Sequence, residues 1–387
     1  MIFWMIGLFV GVTKGDDIVE FDVSETSIFS AAIDCSTSYQ ISHHIRCSFR
    51  LTNNGQRDYS VFKWRTPLDG LRSDCLAVTY NGTKIPYDGI YMKRSIPGPD
   101  QFLLLAPGQT VSPTFDVSEG YDMTKSGNYS IAVDTFLEYA VGSVVGMNVA
   151  GQPSIQTNIA YLSSPVEVFY VMDNAHTKIT SGQRARNLEN RKRFYERSFY
   201  SFMRGQNNNN IVKEGIDQAP LNAVVKRCSA AQRRITKEVH LATYRYAKSA
   251  ILKLENKEDL AKLWFGESHV SSAIKVFEKM VEILQKDTVT YVYGGKYCEP
   301  DMFAYTFPGT RKIFLCKKYQ KAPKLAKFDS KMGILTHELS HAICHTNDIV
   351  YGQSGCKKLA KKASRRAVKN ADNYEYLVET LSVTAKS

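Results

Sequence analysis

The hydrophobic period of this chain changes once, near residue 228, and the change limits what it can fold into. Before that point, apolar residues recur at every second position. Segments 39–42, 45–51 and 59–64 alternate apolar and polar side chains, as half-buried strands do. Asn53-Asn54-Gly55 and Asn81-Gly82 read as hairpin turns. Beyond it the spacing becomes helical. Ile235, Val239, Ala242, Tyr246 and Ile251 approximate one apolar face, and Val270, Ile274, Phe277, Val281 and Leu284 form another. Strand-like runs follow at 288–293, 303–307 and 312–315, and helices close the chain. This order predicts an α+β protein: an antiparallel β-sandwich over 16–175, then a mainly helical domain over 228–387. The 387 residues suffice for two cores.

Charge breaks at the same place. Residues 1–227 carry 22 Lys and Arg against 22 Asp and Glu, and the remainder carries 28 against 16. Segment 176–227 reads as a polar, basic connector, with Arg191-Lys192-Arg193, four asparagines at 207–210, and Lys226-Arg227. Its dibasic sites are either processing points or parts of a solvated linker that stays intact.

Three features point to export. Residues 2–12 are almost unbrokenly apolar, which suits a signal peptide over 1–15. Asn81-Gly82-Thr83 and Asn128-Tyr129-Ser130 are glycosylation acceptors. Eight cysteines fit an oxidising compartment. No later stretch is long and apolar enough for a membrane helix, so no stable membrane insertion is expected. The run Lys357, Lys358, Lys361, Lys362, Arg365, Arg366 and Lys369 reads first as a solvated face, and second as a surface for acidic proteins. Nucleic acid is not an expected partner.

His337-Glu338-Leu339-Ser340-His341 has the H-E-x-x-H form. Residues four apart lie on one face of a helix, so both imidazoles can bind one Zn²⁺. Glu338 is then placed to act as general base on water. Asp329 or Ser330 can cap the helix that carries them, starting near Lys331. A catalytic zinc needs a third protein ligand. His345, Glu375, Glu379 and Asp348 are the candidates, and on a straight helix His345 would sit about 12 Å along the axis from His337, too far to share its ion.

The surrounding motifs carry a resemblance. Segment 346–352, Thr-Asn-Asp-Ile-Val-Tyr-Gly, resembles the Gly-Thr-x-Asp-x-x-Tyr-Gly signature of the aspzincin metallopeptidases, the deuterolysin and peptidyl-Lys metalloendopeptidase family. Segment 370–376, Asn-Ala-Asp-Asn-Tyr-Glu-Tyr, is similar to a downstream motif of the lysine-specific branch, and 329–333 also fits. The resemblance covers 228–387. It implies Asp348 as third zinc ligand and Tyr351 as a donor to the developing oxyanion. It also implies Asp372 and Glu375 as a pocket for a lysine on the carboxyl side of the cut bond. By spacing alone, Asp372 and Glu375 read instead as a capping box. Three departures stand out: His345 replaces the signature glycine, the loop to Asp348 is shorter, and Pro300 replaces a cysteine. A Cys228–Cys298 bridge fits the resemblance, and it leaves Cys316 to pair with Cys344 or Cys356.

The front segment, from Asn53 through Trp64 to Leu71, resembles the N-terminal region of longer members. That implies a pro-domain able to inhibit the enzyme; the rival is a permanent binding module. For the whole chain the expected function is a secreted zinc endopeptidase acting on protein or peptide substrates before lysine. The alternative is a catalytically silent secreted binding protein on the same fold.

Overall fold

A computed structural model describes residues 28–41, 44–95, 97–144, 157–173, 222–256 and 258–384. The expected signal peptide and all but the last residues of the expected linker lie outside these.

The front strands are β1 (Phe29–Cys35), β2 (Arg46–Asn53), β3 (Tyr59–Phe62), β4 (Leu76–Tyr80), β5 (Tyr91–Arg94), β6 (Phe102–Leu105), β7 (Gly127–Val141), β8 (Asn158–Ser163) and β9 (Glu167–Met172). Strands β1 and β2 pair antiparallel, with short strands at Thr110–Val111 and Thr114–Asp116 completing their sheet. A second sheet is organised by the long β7, which pairs with β3, β4, β8 and β9. Alternation explains the packing. Phe49 and Leu51 of the first sheet meet Val78, Ile131 and Val133 of the second in one buried cluster.

The two expected hairpins part company. Asn81-Gly82 turns β4 back onto Thr83–Lys84, with φ of 47° and 78°, the left-handed values that a tight two-residue turn demands. The segment after Asn53 instead carries the chain from one sheet to the other, because β2 and β3 belong to different sheets. Asn53 is buried, and its side-chain amide donates to the Arg57 and Leu105 carbonyls, so it serves the crossing and not a hairpin.

The second half contains β10 (Ala223–Lys226), β11 (Val289–Tyr293), β12 (Met302–Thr306) and β13 (Lys312–Leu315). Its helices are α1 (Ala230–Asn256), α2 (Glu258–Phe265), α3 (Val270–Lys286), α4 (Lys317–Lys321), α5 (Lys331–Cys344), α6 (Gly352–Lys362), α7 (Ser364–Ala367) and α8 (Ala371–Thr384). The sheet order is β10-β11-β13-β12-β5. Two boundaries therefore differ from expectation. Strand β10 runs parallel to β11 ahead of residue 228, so Lys226 sits in a sheet and not in a free linker. Strand β5, from the front half, forms the far edge by antiparallel pairing with β12.

The cysteine pairing also differs. Cys35 bonds to Cys47, and Cys298 bonds to Cys316. Strands β11 and β13 are parallel neighbours, and their C-terminal ends bring Cys298 and Cys316 to a Cα separation of 5.4 Å. Cys228, Cys344 and Cys356 are thiols, as is Cys75.

Candidate metal centre and cleft

Helix α5 begins where Ser330 caps it, the hydroxyl accepting the Gly333 N–H at 3.0 Å. Residues 331–343 are all buried, because α1, α3, α8 and the sheet surround the helix. The four-residue spacing then brings Nε2 of His337 and Nε2 of His341 within 3.0 Å. Asp348 Oδ1 lies 3.1 Å from the first nitrogen and 3.3 Å from the second.

These distances fit a metal ion. A tetrahedral zinc with ligands at about 2.0–2.1 Å has ligand–ligand edges of about 3.3 Å. The tautomer is also set: His341 Nδ1 donates to the Thr346 carbonyl at 2.6 Å, so Nε2 keeps its lone pair for the centre. Burial opposes ionisation of Asp348, but His341 and His337 outweigh it and hold the carboxyl well below its ordinary range. Glu338 lies beside them with Oε2 buried and lacking a hydrogen-bond partner among the described residues. Burial pushes its carboxyl up to about 8. A proton acceptor tuned near neutrality suits general-base work.

A second donor set, His337 with Asp372 and Glu375, lies on the other side of the same ring. It already surrounds a cation, the ammonium of Lys93, at 2.8 Å from Asp372 and 2.9 Å from Glu375. A divalent ion there would face that charge directly, so the first set is the better metal site.

The short loop after α5 is what delivers Asp348. His345 ends the helix in a left-handed conformation, φ 55°. That is the conformation for which the signature's glycine is suited, and it turns the chain immediately. His345 belongs to neither donor set. Asn347 then bridges to Asn370, and the Asn370 side chain accepts the N–H groups of Ile349 and Val350 at 2.7 and 3.1 Å. The loop is thus tied to the start of α8, which also bears Asp372 and Glu375.

Comparison with known proteins gives the chain its relatives. The family model described as aspzincin, lysine-specific metallo-endopeptidase, matches residues 251–379. An extracellular protease of Aeromonas hydrophila is 25% identical over 349 residues, covering 87% of this chain and 88% of its own. A peptidyl-Lys metalloendopeptidase of Grifola frondosa is 27% identical over 344 residues, covering 85% and 86%. Over residues 251–379 the chain is an aspzincin. It is a zinc metalloendopeptidase by that membership. A solved zinc peptidase from Grifola frondosa aligns over 40% of this chain and 98% of its own, with 28% identity and a TM-score of 0.37.

The rest of the aspzincin cleft holds both expected and unexpected residues. Tyr351 directly precedes α6, its ring edge-on to Trp64 with centroids 5.2 Å apart. Burial and the Asp348 charge keep its hydroxyl protonated well above the ordinary range. Asp372 falls inside the first turn of α8, since that helix already begins at Ala371. Its carboxylate is therefore free of the expected capping role. Oδ2 accepts the Gly352 N–H at 2.9 Å, and Oδ1 lies 2.9 Å from His337 Nδ1. Glu375 is raised by burial despite its neighbouring cations. Glu379, another candidate ligand, instead accepts the N–H and hydroxyl of Ser330 at 2.7 and 2.8 Å.

Residues from β5 escape the sequence reading. Lys93 is 1% exposed, and its backbone N–H donates to Glu338 Oε1 at 2.8 Å. Burial would lower its ammonium, but Asp372 and Glu375 outweigh this and raise it well above its ordinary value. Tyr91 stacks on His341, with ring centroids 4.6 Å apart, and its hydroxyl donates to Asn347 at 2.7 Å. Two buried acids require a cation, and β5 supplies it from the other end of the chain. Thr346, the backbone acceptor for His341, was visible only as part of the signature. Of the basic run, Lys357, Lys358, Lys361 and Lys362 are exposed, whereas the Arg366 guanidinium lies 3.9 Å over the Phe136 ring. Among the described residues no helix is long and apolar enough to cross a membrane.

Proposed function

We propose that this aspzincin is a secreted endopeptidase that cuts protein chains on the amino side of lysine. His337, His341 and Asp348 hold zinc. When bound, zinc supplies Lewis acidity, polarising the scissile carbonyl and acidifying the attacking water. Glu338 takes that water's proton and passes it to the leaving nitrogen. The Tyr351 hydroxyl donates to the negative charge that develops on the carbonyl oxygen. Asp372 orients His337 and, with Glu375, receives the substrate's lysine ammonium.

One observation carries the lysine preference. The two acids hold an ammonium, and the backbone nitrogen of that same lysine contacts Glu338. The pocket and the proton acceptor are therefore one lysine side chain apart, the spacing needed if the lysine nitrogen is the leaving group. The extracellular name of the Aeromonas relative supports export. The two front sheets act as a pro-domain over 16–175, and 176–222 links them to a zincin-like domain that begins at β10. Digestion of a protein of mixed sequence tests the reading. Cleavage before lysine, abolished by a chelator and by Glu338→Gln, is expected. No cleavage after release of the front segment would return the chain to the silent binding protein, and chelator-insensitive cleavage would remove the zinc from the mechanism.

A further inference from the structure

Strand β5 has the position of a substrate. It lies antiparallel along β12, with Tyr91 opposite Thr306, Met92 opposite Tyr305 and Lys93 opposite Ala304. Extended peptides commonly bind enzymes by adding a strand to an exposed sheet edge in this way. Two of its side chains enter the site. Tyr91 covers the face of His341, Lys93 fills the acid pocket, and the Lys93 ammonium sits 5.2 Å from the Tyr376 ring centroid. The peptide nitrogen of the Met92–Lys93 bond faces Glu338.

The strand is also anchored outside the cleft. Arg94 pairs with Asp69 at 2.7 Å and lies over Trp64. Tyr87 donates to the Ile90 carbonyl at 2.9 Å and packs edge-on to Tyr91. Arg65 pairs with Glu138 and donates to the Ile349 carbonyl, tying the front sheet to the metal loop. The strand cannot leave without the segment that holds it.

The geometry points to β5 as a built-in pseudosubstrate, with Lys93 as the lysine and Met92–Lys93 in the register of the cleaved bond, so that the unprocessed chain is latent. This rests on the lysine-pocket reading of Asp372 and Glu375 and adds the regulation of that site. The physics of tethering favours it. A covalently attached strand acts at an effective concentration on the order of 1 mM, so even a weak occupant excludes solution peptides. A lysine suits the task because Asp372 and Glu375 would repel each other if it left.

The test uses the full-length, zinc-loaded chain. Wild type and Lys93→Ala are assayed on a quenched peptide with a single lysine, with the exposed Lys84→Ala as control. Lys93→Met, which fills the same volume, is a second variant should the alanine protein fold poorly. Latency predicts that the Lys93 variants cleave about 10-fold faster or more than wild type, chiefly through KM, with Lys84→Ala unchanged. Equal rates for wild type and both Lys93 variants would overturn the inference.

A binding measurement separates this from the underlying reading. n-Butylammonium, a lysine side-chain mimic, should raise the Tm of metal-free Lys93→Ala and leave wild type unmoved. Stabilisation of both proteins alike would mean that Lys93 does not block the pocket, and would overturn the inference. Faster cleavage by the Lys93 variants without preference for lysine would remove the pocket assignment while leaving the occlusion by β5 intact.

Discussion

Helix α5 and strand β5 reach the same cleft by opposite routes. The helix places His337, Glu338 and His341 by local geometry: four residues make one turn, and the turn fixes the nitrogens 3.0 Å apart. The strand places Lys93 by tertiary pairing alone, 279 residues away from the acid it contacts. Local encoding tolerates changes elsewhere in the fold. A long-range contact exists only while two separately built surfaces stay together, so it can be undone. Chemistry that must persist sits on the helix, and chemistry that must be released sits on the strand.

The helix side is broken most severely at Glu338. Glu338→Gln should lower kcat by roughly 10²–10⁴-fold while zinc content, measured by atomic absorption, stays near one per chain. Loss of zinc together with activity would mean that Glu338 helps to hold the metal. Next in size is Glu375→Gln. It removes one carboxylate from the Lys93 pocket, so kcat/KM for lysyl bonds should fall by about 10–100-fold in the activated enzyme. Cuts at other residues, read by peptide mass mapping, should change less, which separates a pocket role from damage to the metal site.

The support beneath the helix is the next target. A methyl group on Gly333 would meet Glu379 Oε1 at 2.2 Å. Gly333→Ala should cost about 1–3 kcal/mol in denaturant unfolding, in spite of alanine's better helix propensity. The smallest effect concerns pH. Burial raises the Glu379 carboxyl from 4.5 to about 9, so the folded state keeps a proton that the unfolded chain has lost. That stability is present below about pH 4.5 and drains away as pH rises towards 9. Glu379→Gln carries no such proton, so its stability should vary less over this window, as followed by thermal unfolding at several pH values.

The same contrast explains what the sequence could disclose. His337, Glu338 and His341 were legible because a helix converts spacing into position. Asp348 was legible only through its motif, since its approach depends on Asn370 holding the loop from another segment. The three strands β11, β12 and β13 were visible in their apolar runs, whereas β5 was read as part of the front sandwich. Nothing in Tyr-Met-Lys-Arg says which sheet it will join. Cysteine pairing was out of reach for a similar reason: eight cysteines allow 105 complete connectivities, and neighbouring strand ends choose among them. The capping-box reading of Asp372 failed by two residues, because α8 starts at Ala371 and not at 373.

Strand β5 has one more consequence. It covers the β12 side of the five-stranded sheet. Its departure would leave the β12 backbone, Met302–Thr306, with hydrogen-bonding groups turned to water. A bare edge of this kind recruits extended chains without regard to their origin, and another copy of the enzyme is as eligible as a substrate. Activation therefore exchanges a quiet surface for an adhesive one. The activated enzyme should keep best in dilute solution or with peptide present, and its shelf life should shorten as its own concentration rises.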